Sequence, residues 1–414
     1  MKKKEVLYIE DRPMLMTKRV LESKDIAPVI LRFKHLIKDF NSDYLIRTER
    51  DFPVFYVDIM LPLEQEAERF IKWQNKMNIN VKYFLNPSEV AQYYAQAFAR
   101  FIGLPSLTKE QTIACRNKGV MKQRLNEIGL KTARYEVVVT KVDLLKAGEN
   151  LGWPLILKPS SDSACRGTTL IQNETEVENI DLHTKNEWLA EEYINLNEYS
   201  VDALVYEGEI IEIFPIMYPA PLLTTLNGAI NANITLRHID SKIRERLENV
   251  VKKYIKGMDI SQGYVHIEYF SDEDHEKIYI GEVGLRLAGS DIPSDHELAF
   301  GFDLFDALIK IHTNEKPNIV FKEDRYVGDL LLPIKKGKVK KISSLEELRK
   351  YDGVIDGKVN YREGQYMDFE QASLSCSGVL LIEGQSSQEV KERMLAILRD
   401  FVLETEEQEF FSTV

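Results

Sequence analysis

Short apolar runs rich in Val, Ile, Phe and Tyr alternate with helix-period segments through the first part of the chain. Glu5 to Glu10, Ala27 to Lys34, Phe52 to Met60 and Ile79 to Leu85 read as strands, and Glu64 to Lys76 and Pro87 to Phe101 as helices. Strand alternating with helix predicts a parallel, doubly wound sheet. Its first turn is Glu10-Asp11-Arg12-Pro13, without the G-x-G-x-x-G of dinucleotide-binding turns, so dinucleotide binding has little support. Residues 1–115 are read as a scaffold that also lines a substrate site.

The pattern then changes. Asn117 to Leu130 predicts an amphipathic helix with Lys118 near its start, followed by a strand at Tyr135 to Val139 and a helix at Val142 to Leu151. Leu155 to Lys158 is apolar enough for a buried strand, and an ammonium group at its end must find a partner or a ligand. Ser160 to Gly167 is small and polar: either a plain surface turn or a loop that covers phosphates with its backbone N–H groups. Trp188 to Tyr193 reads as a strand, and Tyr199 to Tyr206 and Glu209 to Ile216 as a hairpin about Glu207-Gly208. The polar stretch Pro219 to Arg237 is long for a structureless connection, which predicts a substrate-facing or mobile loop; His238 at its end reads first as structural. A helix at Ser241 to Met258 follows.

Two runs, Tyr264 to Phe270 and Lys277 to Glu282, flank an acidic turn, and alternation along each points Glu268 and Glu282 the same way. Either this is a hairpin with solvated acids, or the paired carboxylates share a proton or a cation. Oxygen-only ligands favour a hard ion, Mg2+ or Mn2+, whose shell is usually completed by substrate phosphates. Arg286, four residues on, is a planar cation suited to an anionic phosphoryl or carboxylate group. Asp295 to Ile311 predicts one helix with His296 or Glu297 facing the site from its first turn. The remainder mixes strands, a short helix at Ser344 to Lys350 and a last helix at Ser387 to Leu403 before an acidic end.

Composition removes several function classes. The 414 residues carry a net charge of -12 without a long basic block, which disfavours nucleic acid and anionic membranes as partners. Cys115, Cys165 and Cys376 form no C-x-x-C, so neither a disulfide framework nor a structural zinc site is indicated. The apolar run behind Lys2, Lys3 and Lys4 is too short for a signal peptide, and no stretch reaches the roughly 18 apolar residues of a membrane helix. A cytoplasmic location is expected.

Taken in order, these segments resemble the ATP-grasp superfamily, specifically its carboxylate-amine ligases and among them the bacterial L-amino acid (dipeptide) ligases. The resemblance is carried by the run into Lys118, by ILKPSSDSACRGTTL, by AEEYINLNEYSVD, and by HIEYF with GEVGLRLAG. It implies an α/β and α+β chain with the ATP-grasp fold: an N-terminal doubly wound parallel-sheet domain (1–115), an ATP-grasp domain (116–325, lid lobe about 130–200) and a small C-terminal α+β lobe (326–414). For ATP it implies Lys118 and Lys158 on the phosphates, and Ser160, Ser161, Ser163, Arg166 and Gly167 in the covering loop. Glu191, Glu192, Tyr193 and Ile194 fall at the adenine, and Glu198 at the ribose. Glu268 and Glu282 become the Mg2+ (or Mn2+) ligands and Arg286 the catalytic residue on an acyl phosphate, with His238, Gly289 and His296 beside Arg286 as substrate contacts.

Two departures stand out: Gly284 occupies a position where many members of the superfamily carry a metal-binding Asn, and the covering loop is richer in serine than glycine. The implied activity joins a small carboxylate to an amine with release of ADP. Alternatives are transfer to a carrier-protein thiol, carboxylation from bicarbonate, or ATP binding without turnover. A homodimer is implied by the same resemblance.

Overall fold

The computed structural model describes residues 3–182 and 187–406; the acidic end beyond Glu406 and Lys2 lie outside the described residues. The N-terminal part is a four-stranded parallel sheet ordered Val54–Val57, Ile26–Phe33, Lys4–Glu10, Tyr83–Leu85, the doubly wound arrangement expected. Period-two alternation buries both of its faces. Val6 and Tyr8 pack in one core with Leu204, Tyr264 and the helices Ile292–Phe300 and Leu304–His312. Leu7 and Ile9 pack in another with Phe70 and Phe98. The first face therefore docks this sheet on the middle of the molecule, and the loops at its carboxyl end are held in place there.

A second sheet is antiparallel and runs Tyr135–Val138, Trp188–Glu192, Leu155–Pro159, Thr169–Ile171. It faces a third, eight-stranded antiparallel sheet in the order Ile278–Gly284, Gly263–Ser271, Asn197–Tyr206, Glu209–Met217, Ala232–Thr235, Tyr326–Leu332, Gly378–Gly384, Val354–Val359. Strands from the C-terminal region thus extend the central sheet. Only Gly337–Ile342, Tyr366–Met367 and Leu403–Glu406 form a small sheet of their own. Among the described residues no helix is long and apolar enough to cross a membrane.

Two expectations need correction, and one helix is added to them. The helix predicted over Asp295 to Ile311 is two helices, Ile292–Phe300 and Leu304–His312. Gly301 ends the first in the left-handed region at φ 65°, and the Asp303 side chain caps the second by accepting from the Asp306 N–H. The stretch from Pro219 to Arg237 is not structureless, since it holds a one-turn helix, Leu222–Thr225, and the strand Ala232–Thr235, but its first part does face a cavity, which Pro221, Leu222, Thr224 and Asn227 help to line. All four residues of that strand are buried, and its polar members are paired, Asn233 with Asp329 and the Thr235 hydroxyl with the Val327 carbonyl at 2.9 Å. The helix Lys109–Ala114, closed by a capping box between Thr108 and Gln111, was not anticipated.

Candidate active site

A cavity of about 710 Å³ opens between the second and third sheets. Its floor is the pair Gly263–Ser271 and Ile278–Gly284, in which Glu268 and Glu282 stand directly opposite each other, with a bulge immediately after Glu268. Directly opposed residues in an antiparallel pair have Cβ atoms about 5 Å apart, so the two carboxylates share one patch of the cavity. Burial by itself would raise the pKa of Glu282, but Lys118, Lys158 and Arg286 outweigh it and hold the group below its ordinary value.

Lys118 opens the helix Lys118–Glu127, whose first turn Asn117 caps, and its Nζ lies 3.3 Å from Glu282 Oε1 and against the Asp162 carbonyl. Lys158, on the opposite wall, lies 2.8 Å from Glu191 Oε1. The other oxygen of Glu191 faces Lys122 Nζ at 3.1 Å. Lys122 is 1% exposed, and burial, opposed by Glu191, pulls its ammonium down to about 8. Sequence reasoning missed Lys122, although its place one turn after Lys118 puts both on one helix face.

The covering loop lies over the cavity. Ser163, Arg166 and Gly167 line it, whereas Ser160 and Ser161 do not; the Ser160 backbone instead accepts from the Lys118 N–H at 2.8 Å. Ala164, Cys165 and Gly167 all take positive φ. The loop tip touches the C-terminal region, where the Ser373 N–H donates to the Ala164 carbonyl at 2.9 Å and Glu370 lies 3.6 Å from Arg166. Burial pushes the Cys165 thiol up to about 12, which disfavours the thiolate form.

Tyr193 and Ile194 line the cavity edge together with Glu191 and Glu192. The Glu192 carboxylate is engaged by Arg134, through the backbone N–H at 2.9 Å and Nε at 2.7 Å. Glu198 accepts from the Leu222 N–H at 2.7 Å, and burial followed by the charge of Glu268 pushes it up to about 8.

Arg286 does not line this cavity but a second one of about 400 Å³ beside Asn86 and Pro87, and it is gripped by Glu89 from the loop after the strand Tyr83–Leu85. Its Nε and Nη2 donate to Glu89 Oε2 at 3.1 and 2.8 Å, its Nη1 donates to the Leu287 carbonyl at 2.8 Å, and the second oxygen of Glu89 is paired with Arg116. Neither Glu89 nor Arg116 was singled out from the sequence. The available signal was the position of Glu89 just past the strand Tyr83–Leu85, at the carboxyl end of a parallel sheet where such folds bind ligands.

Three expected substrate contacts are not brought here. His238 lies three residues past the strand Ala232–Thr235, is exposed, pairs with Asp324 at 2.6 Å and does not line the cavity. His296 is fully buried under Phe214 with its Nε2 2.8 Å from Asp202, since its helix packs into the core. Gly289 sits near the Leu374 methyls and does not line the cavity. A histidine that sequence reasoning passed over, His266, does reach the site: its Nε2 lies 3.3 Å from Glu268 Oε1.

Comparison with known proteins agrees with this arrangement. Residues 123–290 match the ATP-grasp domain, and residues 330–406 match the L-amino acid ligase C-terminal domain 2. The chain thus carries an ATP-grasp domain followed by an L-amino acid ligase C-terminal domain. An L-arginine-specific L-amino acid ligase of Bacillus subtilis is 28% identical over 283 residues, which span 66% of this chain and 68% of that protein. An alanine–anticapsin ligase of Bacillus subtilis strain 168 is 24% identical over 60% of this chain and 57% of its own length. Among solved structures, an L-amino acid ligase from Bacillus licheniformis superposes with a TM-score of 0.76 at 19% identity, covering 98% of this chain and 100% of that one. The biotin carboxylase domain of the Hydrogenobacter thermophilus 2-oxoglutarate carboxylase, solved with MgADP and bicarbonate, gives 0.66 at 16% identity, covering 97% and 90%.

Proposed function

We propose that this protein activates the carboxylate of an amino acid as an acyl phosphate with ATP and joins it to the amine of a second amino acid or other amine, releasing ADP. The observation that carries the reading is the opposition of Glu268 and Glu282 on the floor of a cavity whose walls carry Lys118 and Lys158 under a closed loop. Similarity to ligases named for arginine and for alanine supports amino acids as substrates.

Among the described residues no group of three or more His, Cys, Asp or Glu side chains could hold a metal by itself, and Gly284 adds no ligand. Two carboxylates with no third protein ligand fit Mg2+ or Mn2+, which takes the rest of its shell from phosphate oxygens and water. Glu268 and Glu282 would hold the ion, and bound there it neutralises charge on the transferring phosphoryl group.

The protein's own groups do the remainder. Lys118 and Lys158 place positive charge on the phosphates from two sides. Arg286 has five N–H groups, of which three are taken by Glu89 and Leu287, leaving one on each terminal nitrogen. That free edge is a planar fork for the acyl phosphate, and Glu89 keeps it pointed. The loop from Asp162 to Gly167 excludes water, which an acyl phosphate requires because it hydrolyses readily.

The test is hydroxylamine trapping with ATP, Mg2+ and a panel of amino and other carboxylic acids. A hydroxamate formed with ADP names the activated acid. Release of AMP in place of ADP overturns the acyl phosphate, and activity with a carrier-protein thiol alone redirects the second half-reaction.

A further inference from the structure

Behind Glu268 lies a buried file of polar side chains that the chemistry above does not use. Glu268 Oε1 faces His266 Nε2 at 3.3 Å, His266 Nδ1 faces Asp202 Oδ1 at 2.6 Å, and Asp202 Oδ2 faces His296 Nε2 at 2.8 Å. Asp202 and His296 are 0% exposed and His266 is 3% exposed. The members come from the neighbouring strands Asn197–Tyr206 and Gly263–Ser271 and from the helix Ile292–Phe300. The register sets His266 directly across from Asp202, so the two cannot avoid each other.

Burying a carboxylate and two imidazoles costs several kcal/mol unless each is bonded, and an apolar trio would pack here more cheaply. A carboxylate only accepts, so both rings donate to Asp202, and His266 bonds Glu268 as well only when it carries a proton on each ring nitrogen and donates from both. His296 Nδ1 has no partner, and its ring packs on Phe214 with centroids 4.8 Å apart, so its single polar contact among the described residues is the one to Asp202.

We propose that His266, held in place by Asp202 and through it by His296, is a positioning residue for Glu268: it commits one carboxylate oxygen to the protein and leaves the other for the cation. This rests on the reading of Glu268 as a cation ligand. Supporting groups of this kind are worth about 10–100-fold in metal affinity. The same file ties the helix Ile292–Phe300 to the strand that carries Glu268.

The experiment is a titration of the protein–ADP complex with Mn2+, followed by electron paramagnetic resonance. His266→Phe should weaken Mn2+ by about 10–100-fold, His296→Phe by a smaller factor, and His266→Gln, which restores a donor at the distal position, should recover most of the loss. ADP binding without Mn2+ should be unchanged in all three. Should His266→Phe fail to fold, His296→Phe carries the test, since it leaves the Glu268 contact intact and adds an apolar ring beside Phe214 and Phe300. Folded variants that bind Mn2+ as the wild type does overturn this inference alone. Wild-type protein that binds ADP but no Mn2+ overturns the cation reading and this inference with it.

Discussion

Replacing Lys122 with methionine should make the protein more stable and a poorer binder of ATP. Lys122 is 1% exposed and holds Glu191 at 3.1 Å, while Lys158 holds the other oxygen at 2.8 Å. Burial keeps the Lys122 ammonium at about 8 against an ordinary 10.5, even with Glu191 beside it. Burial is the largest influence on that value and disfavours the charged group in the folded state, although the same ion pair holds Glu191 below its ordinary value and offsets part of the cost. Methionine has nearly the same length and no charge, so the urea midpoint should rise by the equivalent of about 1–3 kcal/mol at constant slope. The sign with pH follows: a depressed folded-state value means that the wild type regains stability as pH rises from 8 to 10.5, and the gap to the variant closes there.

The cost appears in binding. With Lys122 gone, Glu191 is balanced by Lys158 alone, and the charge Lys158 offers a phosphate is partly neutralised. A charge pair about 4 Å apart near a protein surface is worth about 4 kcal/mol, so losing a third of it raises the ATP KM about tenfold. Urea unfolding and initial rates at varied ATP measure both effects on one preparation. A variant destabilised by about 2 kcal/mol or more with an unchanged ATP KM would refute the reasoning and make Lys122 a structural counter-ion.

Arg286→Ala should lower kcat by about 10²–10³-fold with little change in ATP KM, measured by coupled ADP release; equal loss in both would mean that Arg286 serves ATP binding. Gly167→Ala should strain the covering loop, because the position has φ +66° and a Cβ there would come within 3.0 Å of Pro159. Its expected signature is ADP released in excess of ligated product, read by mass spectrometry. Glu198 is held near 8 against an ordinary 4.5, so its contribution to stability is fully present below pH 4.5 and is lost as pH rises through 8. Thermal unfolding of the nucleotide-free protein at pH 5 and pH 9 should show that loss, and Glu198→Gln should flatten it.

Alternation was enough to pair Glu268 with Glu282, because a strand's period of two leaves little freedom once two runs flank a short turn. The doubly wound N-terminal sheet and the lysine at the end of a buried strand were legible for the same local reasons. Gly301 followed by Asp303 was also readable as a helix stop and start, although the apolar periodicity on either side concealed it. The strand Ala232–Thr235 was not, because its Asn and Thr are buried against partners roughly 90 residues away, and a polar letter carries no mark of whether it will be paired.

Tertiary structure alone decided the rest of the site. Glu89 reaches Arg286 across 197 residues, and His296 reaches Asp202 across 94. Local pattern reports which face a side chain leaves from; it does not report which distant element arrives there. The sequence therefore determined the elements, the opposed carboxylates and the order of the segments that line the cavity. Packing of three sheets determined which charges meet, turning one expected substrate histidine into a buried support and leaving the other, His238, on the surface.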